Sequence, residues 1–345
     1  MLAQAKNILY GYGRSLECVE AEMLREIPRI ESLDASLKNA KILELAFREI
    51  GFVDVRNEEI YKMMPSKYGV IKKVLDLPEG VKRKYQRKKK GHQRGWTPPY
   101  TEEAFFCRRK GPDDEDIADA KENWFIGPEL PPDHYLIRQF PVLYPPNIWP
   151  VEVPEFKPAM LELYNALCAE GKNFLKLVAL SIGKLENYFE EMIHDGPTVM
   201  RPLRYPRITE AEIGTVVWGC SHTDINLVTI LPASTRPGLY ILPRGGNIER
   251  KEDWVPGIAP PGYYRAQVGD MLEHLTSGYY LSADHKVCPP ENESAEERIS
   301  VAHFIHPRSD VLLAPQLDTP QRKLYAPITA GDFLLKRLRE IGILA

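Results

Sequence analysis

SHTDINLVTIL, residues 221–231, joins a polar pair to a run of sheet-forming residues. From Ile225 onward Ile, Leu, Val and Thr dominate, the β-branched and aliphatic mix that packs on a pleated surface. Side chains alternate along a strand, so His222 and Asp224, two apart, are expected on one face, imidazole beside carboxylate. Two readings compete for this pair: a solvated strand end, or two ligands aimed at one point.

The surrounding texture is that of a β protein. Between about Met200 and Phe304, short runs (TVVWGC, NLVTILPA, GLYIL, YYRAQVGDML, RISVAHFI) alternate with Pro, Gly and polar turn signals, as in a sandwich or barrel. The flanks are helical. DASLKNAKILELAFREIGF carries Leu37, Ala40, Leu43, Phe47 and Ile50 at helical spacing, with Asp34 or Ser36 as N-cap and Gly51 as stop. Met160, Leu163, Tyr164, Leu167, Phe174, Leu177 and Val178 form a second apolar stripe within Phe156 to Ile182, and TAGDFLLKRLREIGIL returns to helix. No internal repeat is evident. The expected architecture is mainly β with flanking helices in one structural unit: an N-terminal helical and mixed region over 1–195, a barrel core over 196–310 and a C-terminal helical region over 311–345.

Bulk properties narrow the function classes. With 345 residues, 43% hydrophobic, the chain can bury a sizeable core. A formal net charge of -3 gives no cationic excess to drive nucleic-acid or anionic-membrane binding. The basic run KRKYQRKKK, 82–90, with Arg94 and Trp96 beyond it, resembles a nucleic-acid patch in miniature; the acidic PDDEDIAD soon after favours a solvated helix face. The N-terminus lacks an apolar signal core, and nothing approaches the roughly 20 apolar residues of a membrane span, so a cytoplasmic location is expected. Cys18, Cys107, Cys168, Cys220 and Cys288 are odd in number, scattered and without a C-x-x-C, so buried reduced thiols are expected.

A third ligand must be a histidine or carboxylate returned by the barrel. Of the eight histidines, His285 stands out at the end of the strand-like GYYLSADHKV, and the following RISVAHF sets Arg298 and Ser300 on one strand face. His274 reads as structural, His303 and His306 point to opposite sides, and His194 with Asp195 reads as surface. Two imidazoles and one carboxylate leave adjacent coordination positions open, the donor set of non-haem Fe(II) oxygenases. A planar guanidinium at Arg298 can hold a carboxylate bidentately, and Ser300 adds a hydrogen bond. Such a pair suits the distal carboxylate of 2-oxoglutarate.

HTDINLVTIL, GLYIL, VGDMLEHLTSG, LSADHKV and RISVAHF, in that order, with GFVDVRN, RGWTPPYTEE, AKENWFIG and NIWP upstream and LYAPITAGDFLLKRL downstream, resemble the isopenicillin N synthase-like family of Fe(II)/2-oxoglutarate-dependent dioxygenases over nearly the whole chain. The resemblance implies a double-stranded β-helix, or jelly-roll, core. By position it implies His222, Asp224 and His285 as iron ligands, and Arg298, Ser300 and Tyr205 as the 2-oxoglutarate contacts. Fe(II), O2 and 2-oxoglutarate are then the expected cofactor and co-substrates, with ascorbate as reductant. The expected reaction is oxidation of a C–H bond in a small-molecule substrate, with succinate and CO2 formed. A monomer is expected, with no nucleic-acid or membrane partner. Leu203 stands where the family usually has Asn, TSG replaces Thr-Asn-Gly, and GFVDVRNEEI lacks Asn-His-Gly. Leu203 keeps open an alternative, an Fe(II)-dependent oxidase of the same family that does not use 2-oxoglutarate; a binding protein acting through the basic run is a third reading. Trp96, Tyr100, Phe304 and Arg94 are candidate pocket residues.

Overall fold

The computed structural model describes residues 27–86, 93–101, 119–213, 215–290 and 294–344. Strands β1 (Arg29–Ile30) and β2 (Phe52–Arg56) flank helix α1 (Leu37–Glu49), and α2 (Glu58–Leu75) follows. β3 (Gly95–Thr97) and β4 (Glu122–Phe125) precede the long helix α3 (Phe156–Ser181). The barrel strands are β5 (Val199–Tyr205), β6 (Gly219–His222), β7 (Val228–Pro232), β8 (Leu239–Ile241), β9 (Val255–Pro256), β10 (Tyr263–Val268), β11 (His285–Val287) and β12 (Arg298–Ile305). Helix α4 (Asp270–Leu275) lies between β10 and β11, and a small hairpin, β13 (Leu312–Leu313) with β14 (Ile328–Thr329), leads into α5 (Ala330–Glu340).

Eight strands form one sheet in the order β1-β2-β10-β7-β12-β5-β4-β3, and four form the other, β6-β11-β8-β9. Helices α1 and α2 pack on α3, and α3 packs on β7 and β12. Gly171 lets the helix approach closely, since an added Cβ would stand 2.1 Å from Ile305 Cδ1. The α3 stripe from Met160 to Val178 is buried throughout, in the larger core cluster. A second apolar cluster (Phe52, Leu203, Tyr205, Trp218, Leu239, Ile241 and Val287 among others) fills the space between the two sheets. The jelly-roll and its flanking helices agree with the sequence reading.

Local departures have physical causes. Ser36 caps α1, accepting from the Asn39 backbone N–H at 3.3 Å, and Gly51 ends it at φ 76°. Leu37, counted in the apolar stripe, is instead 81% exposed, at the first position of the helix. Helix α2 has no counterpart in the sequence reading; Pro65 and Gly69 interrupt its pattern, but Asn57 caps it and its buried face carries Ile60, Met64, Ile71 and Val74. YYRAQVGDML divides at Gly269, strand before and helix after. Lys82, at the head of the basic run, is buried and donates to Glu122 Oε2 at 2.7 Å and to the Leu75 carbonyl at 2.7 Å, so it is no solvated position; residues 87–90 of that run lie outside the described residues. Of the cysteines, Cys220 is buried whereas Cys168 and Cys288 are only partly so; all three are free thiols, and Cys18 and Cys107 lie outside the described residues. Among the described residues no helix is long and apolar enough to cross a membrane.

Candidate active site

His222, Asp224 and His285 come together, although not on the strands expected of them. His222 is the last residue of β6 rather than the first of the following strand, Asp224 sits in the connection to β7, and His285 opens β11. The connection leaves the ladder because its polar groups find other partners: the Asp224 carbonyl accepts the Asp270 N–H at 2.7 Å, and the Asn226 side-chain amide donates to the Val228 carbonyl at 2.6 Å. Antiparallel pairing of β6 with β11 then places His285 directly opposite His222, where side chains on adjacent strands face each other. Their ring centroids are 4.3 Å apart.

Hydrogen bonds fix which atoms face inward. His222 Nδ1 lies 2.8 Å from the Cys220 carbonyl oxygen and His285 Nδ1 3.1 Å from that of Ala283. A carbonyl can only accept, so each Nδ1 carries the proton and each Nε2 keeps its lone pair. Both Nε2 atoms are 3.8 Å from Asp224 Oδ1. Asp224 Oδ2 is engaged on the far side by the Thr229 hydroxyl at 2.6 Å and by the Gln267 side-chain amide. Two imidazole nitrogens and one carboxylate oxygen, all within 4.8 Å of one another, are thus presented to one point, with outer partners holding each. The donor set fits a borderline divalent cation such as Fe(II) and includes no thiolate. The His222 side chain keeps 39% of its accessible surface and lines the cleft. Enclosure first, and then His285, hold its imidazole down at about 3, so the neutral ring is the form present around neutral pH.

The same cleft continues along β12 and β5 to Arg298 and Ser300. Arg298 is buried; its Nε donates to the Arg236 carbonyl at 3.0 Å and its Nη1 to Ser300 Oγ at 3.1 Å. Tyr205 is its register partner on β5, with the ring centroid 5.0 Å from Arg298 Cζ. Leu203 pairs with Ser300 and adds an apolar wall. Of the remaining pocket candidates only Phe304 lines this cleft. Trp96 is buried in the main core, where its Nε1 donates to Glu122 at 2.7 Å, Tyr100 borders a separate surface depression, and Arg94 is buried beside Gly127. Arg204, next to Tyr205 in sequence, points to the other side of the sheet and binds Glu122 and Asp76. His274 packs between Tyr325 and Phe333, His303 faces Cys168 on α3 at 3.5 Å, and His194 is exposed beside Asp195.

Sequence reasoning missed Thr229 and Gln267, which orient Asp224, and three further cleft residues: Arg201, Lys121 and Arg265, the last held by buried Asp54. Arg201 was within reach, since alternation from Tyr205 puts residues 203 and 201 on the same face. Lys121 was not, because it reaches the cleft through pairings distant in sequence.

The turn that supports Asp224 has no room to spare. A Cβ on Gly269 would stand 2.1 Å from the Asn226 carbonyl oxygen and 3.1 Å from that of Asp224. Gly269→Ala should therefore lower stability by about 1–3 kcal/mol, as overpacking does, and weaken metal binding by displacing Asp224. Thermal melts of the metal-free protein and anaerobic Fe(II) titration measure the two effects; an unchanged iron affinity would show that this turn does not position the carboxylate.

Two family models match the chain: the N-terminal region of non-haem dioxygenases in morphine synthesis, over residues 26–152, and the 2OG-Fe(II) oxygenase superfamily, over residues 197–307. A 2-oxoglutarate-Fe(II) type oxidoreductase of Aspergillus fumigatus is 28% identical over 260 residues, 74% of this chain and 72% of its own. The structure of a 2OG-Fe(II) oxygenase family protein from Caulobacter crescentus superposes with a TM-score of 0.77 at 29% identity, over 92% of this chain and 99% of that one. A full-length Neurospora crassa protein, solved in complex with alpha-KG, shares the fold, with a TM-score of 0.76 at 24% identity over 91% and 95% of the two chains. These relatives do not favour the oxidase alternative. With two matches that together span more than half of its length, the chain belongs to the 2OG-Fe(II) oxygenase family, isopenicillin N synthase-like, and is a 2-oxoglutarate-dependent dioxygenase.

Proposed function

We propose that the enzyme oxidises a C–H bond of a small-molecule substrate while 2-oxoglutarate is converted to succinate and CO2, with His222, Asp224 and His285 holding Fe(II) and with Arg298, Ser300 and Tyr205 holding 2-oxoglutarate. The observation that carries this reading is the convergence of two imidazole Nε2 atoms on Asp224 Oδ1 in a cleft whose polar continuation is a fixed guanidinium. When bound, Fe(II) supplies the activation of O2 that no side chain can provide.

The chain's own residues hold the geometry. The Nδ1 hydrogen bonds to the Cys220 and Ala283 carbonyls lock both rings in one tautomer and orientation. Thr229 and Gln267 take Asp224 Oδ2 and leave Oδ1 free to ligate. Arg298 presents charge in a site sheltered from water, and its two hydrogen bonds to Arg236 and Ser300 keep the fork from turning when a carboxylate arrives. Leu203, Ala302 and Phe304 line the cleft with apolar surface that excludes solvent from the reacting atoms.

The test is a mass-spectrometric screen of the purified enzyme with Fe(II), O2 and 2-oxoglutarate against a small-molecule library. Succinate should form in step with oxidised product and should stop on chelation of iron or omission of either co-substrate. Product formed without 2-oxoglutarate would overturn the co-substrate assignment.

A further inference from the structure

The cleft is lined by cationic side chains that neither iron nor 2-oxoglutarate uses. Arg201, Leu203 and Tyr205 alternate along β5 and share the face that turns to the cleft, in register with Ala302, Ser300 and Arg298 of β12. Arg298 is thus aligned with Tyr205, and Arg201 stands four residues further along the strand, about 13 Å at strand rise. That backbone separation sets Arg201 apart from the position assigned to 2-oxoglutarate at Arg298. Arg201 carries its guanidinium over the Phe125 ring, 4.7 Å from the centroid, which restricts its orientation. Lys121 joins it in lining the cleft. Lys121 is buried and is held by the Asp119 carboxylate, whose other oxygen accepts the Cys220 N–H at 3.0 Å. The Cys220 carbonyl in turn holds His222, so Lys121 is tethered to the backbone that positions a proposed metal ligand.

We propose that Arg201 and Lys121 are specificity-determining residues that recognise a carboxylate on the prime substrate, whose apolar body lies against Phe304 and Leu203. This inference rests on the reading that places 2-oxoglutarate at Arg298. A planar fork and a nearby point charge suit one carboxylate, and the apolar lining suits a hydrocarbon or aryl skeleton rather than a polyol or a nucleotide. A carboxylate held beside His222 would let the rest of the molecule lie across the cleft in front of His222, Asp224 and His285.

The experiment is isothermal titration of the anaerobic Fe(II) and 2-oxoglutarate-loaded protein. The probes are short straight-chain and aryl-substituted monocarboxylic acids, each measured beside its primary amide and the corresponding phosphate monoester. At least one acid should bind roughly tenfold or more tightly than its amide, the scale of a charge-assisted hydrogen bond, and the preference should weaken with added salt. Arg201→Gln and Lys121→Gln should each reduce the acid-to-amide ratio, and Arg201→Lys should retain part of it, which separates recognition from a loss of fold. Equal binding of every acid and amide overturns the proposal, as does a preference confined to phosphate monoesters or a ratio unchanged in both Gln variants. Titration of the unmodified Fe(II) protein with 2-oxoglutarate alone is a separate arm, so a failure of the co-substrate reading is seen there first.

Discussion

Asp224→Ala should abolish stoichiometric Fe(II) binding and with it all turnover. Asp224 supplies the single anionic donor of the cluster, and both imidazole Nε2 atoms are arranged around its Oδ1. Loss of an outer partner of a metal ligand typically costs 10–100-fold in affinity; loss of the ligand itself must cost more, because a charge and a coordination bond go together. The carboxylate is buried, and its Oδ2 accepts from Thr229 and Gln267. The variant therefore leaves the Gln267 amide without its acceptor and the Thr229 hydroxyl with only Asn226 Oδ1 at 3.2 Å, and should lose about 1–3 kcal/mol of stability. His285→Ala, which removes a ring without stranding a charged network, should lose iron with a smaller effect on the melt. Iron content after anaerobic reconstitution, read beside circular dichroism melts, separates the two effects. Full iron occupancy in a folded Asp224→Ala protein would end the assignment of this cluster as the metal site.

What the sequence made legible, and what it hid, follows from the range of the interactions involved. Alternation along one strand is local, and so Arg298 with Ser300 on one face and the buried stripe of α3 could be read directly, whereas Tyr205 and Leu203 entered only through the family resemblance. The convergence of His222, Asp224 and His285 was expected from their residue types and spacing, yet the local picture was wrong. They meet because β6 pairs with β11 and because the connection after His222 turns away from the ladder. Neither event has a strong signature within a few residues. Thr229 and Gln267 were invisible for a related reason. On a buried strand a Thr or a Gln is ordinary until its partner is known, and that partner is Asp224, 5 and 43 residues away. The departure at TSG also has a local explanation: Ser277 adopts φ 56° and Gly278 φ 73°. Backbone of this kind favours Gly and Asn, and Ser277 is held there by its bond to the Leu317 carbonyl at 2.7 Å. The substitution therefore concerns a turn remote from the cleft lining.

Arg298→Gln should weaken 2-oxoglutarate binding by about 3–5 kcal/mol, the cost of leaving one member of a buried ion pair without its partner. Arg298→Lys should cost less, about 1.5–3 kcal/mol, or roughly ten- to hundredfold in apparent affinity. The difference arises in the geometry around the guanidinium. Its Nε is used by the Arg236 carbonyl and its Nη1 by Ser300, with the Tyr205 ring close by. The group is thus oriented by the protein before any carboxylate arrives, and an ammonium on a flexible stem has no equivalent set of contacts. Iron affinity should change little in either variant, since Arg298 is not among the clustered donors. The visible metal-to-ligand band of the anaerobic Fe(II) protein, followed during 2-oxoglutarate titration, reports co-substrate binding independently of turnover. Arg204 is not a substitute anchor, because it faces away from the cleft into its own network with Glu122 and Asp76. If Arg298→Lys bound 2-oxoglutarate as well as the unmodified protein, the anchor would have to be another cation of the cleft, Arg201, Lys121 or Arg265, with Arg265 the first to test. That residue lines the same cleft and is fixed by Asp54 at 2.8 and 2.9 Å, so Arg265→Lys would then carry the loss.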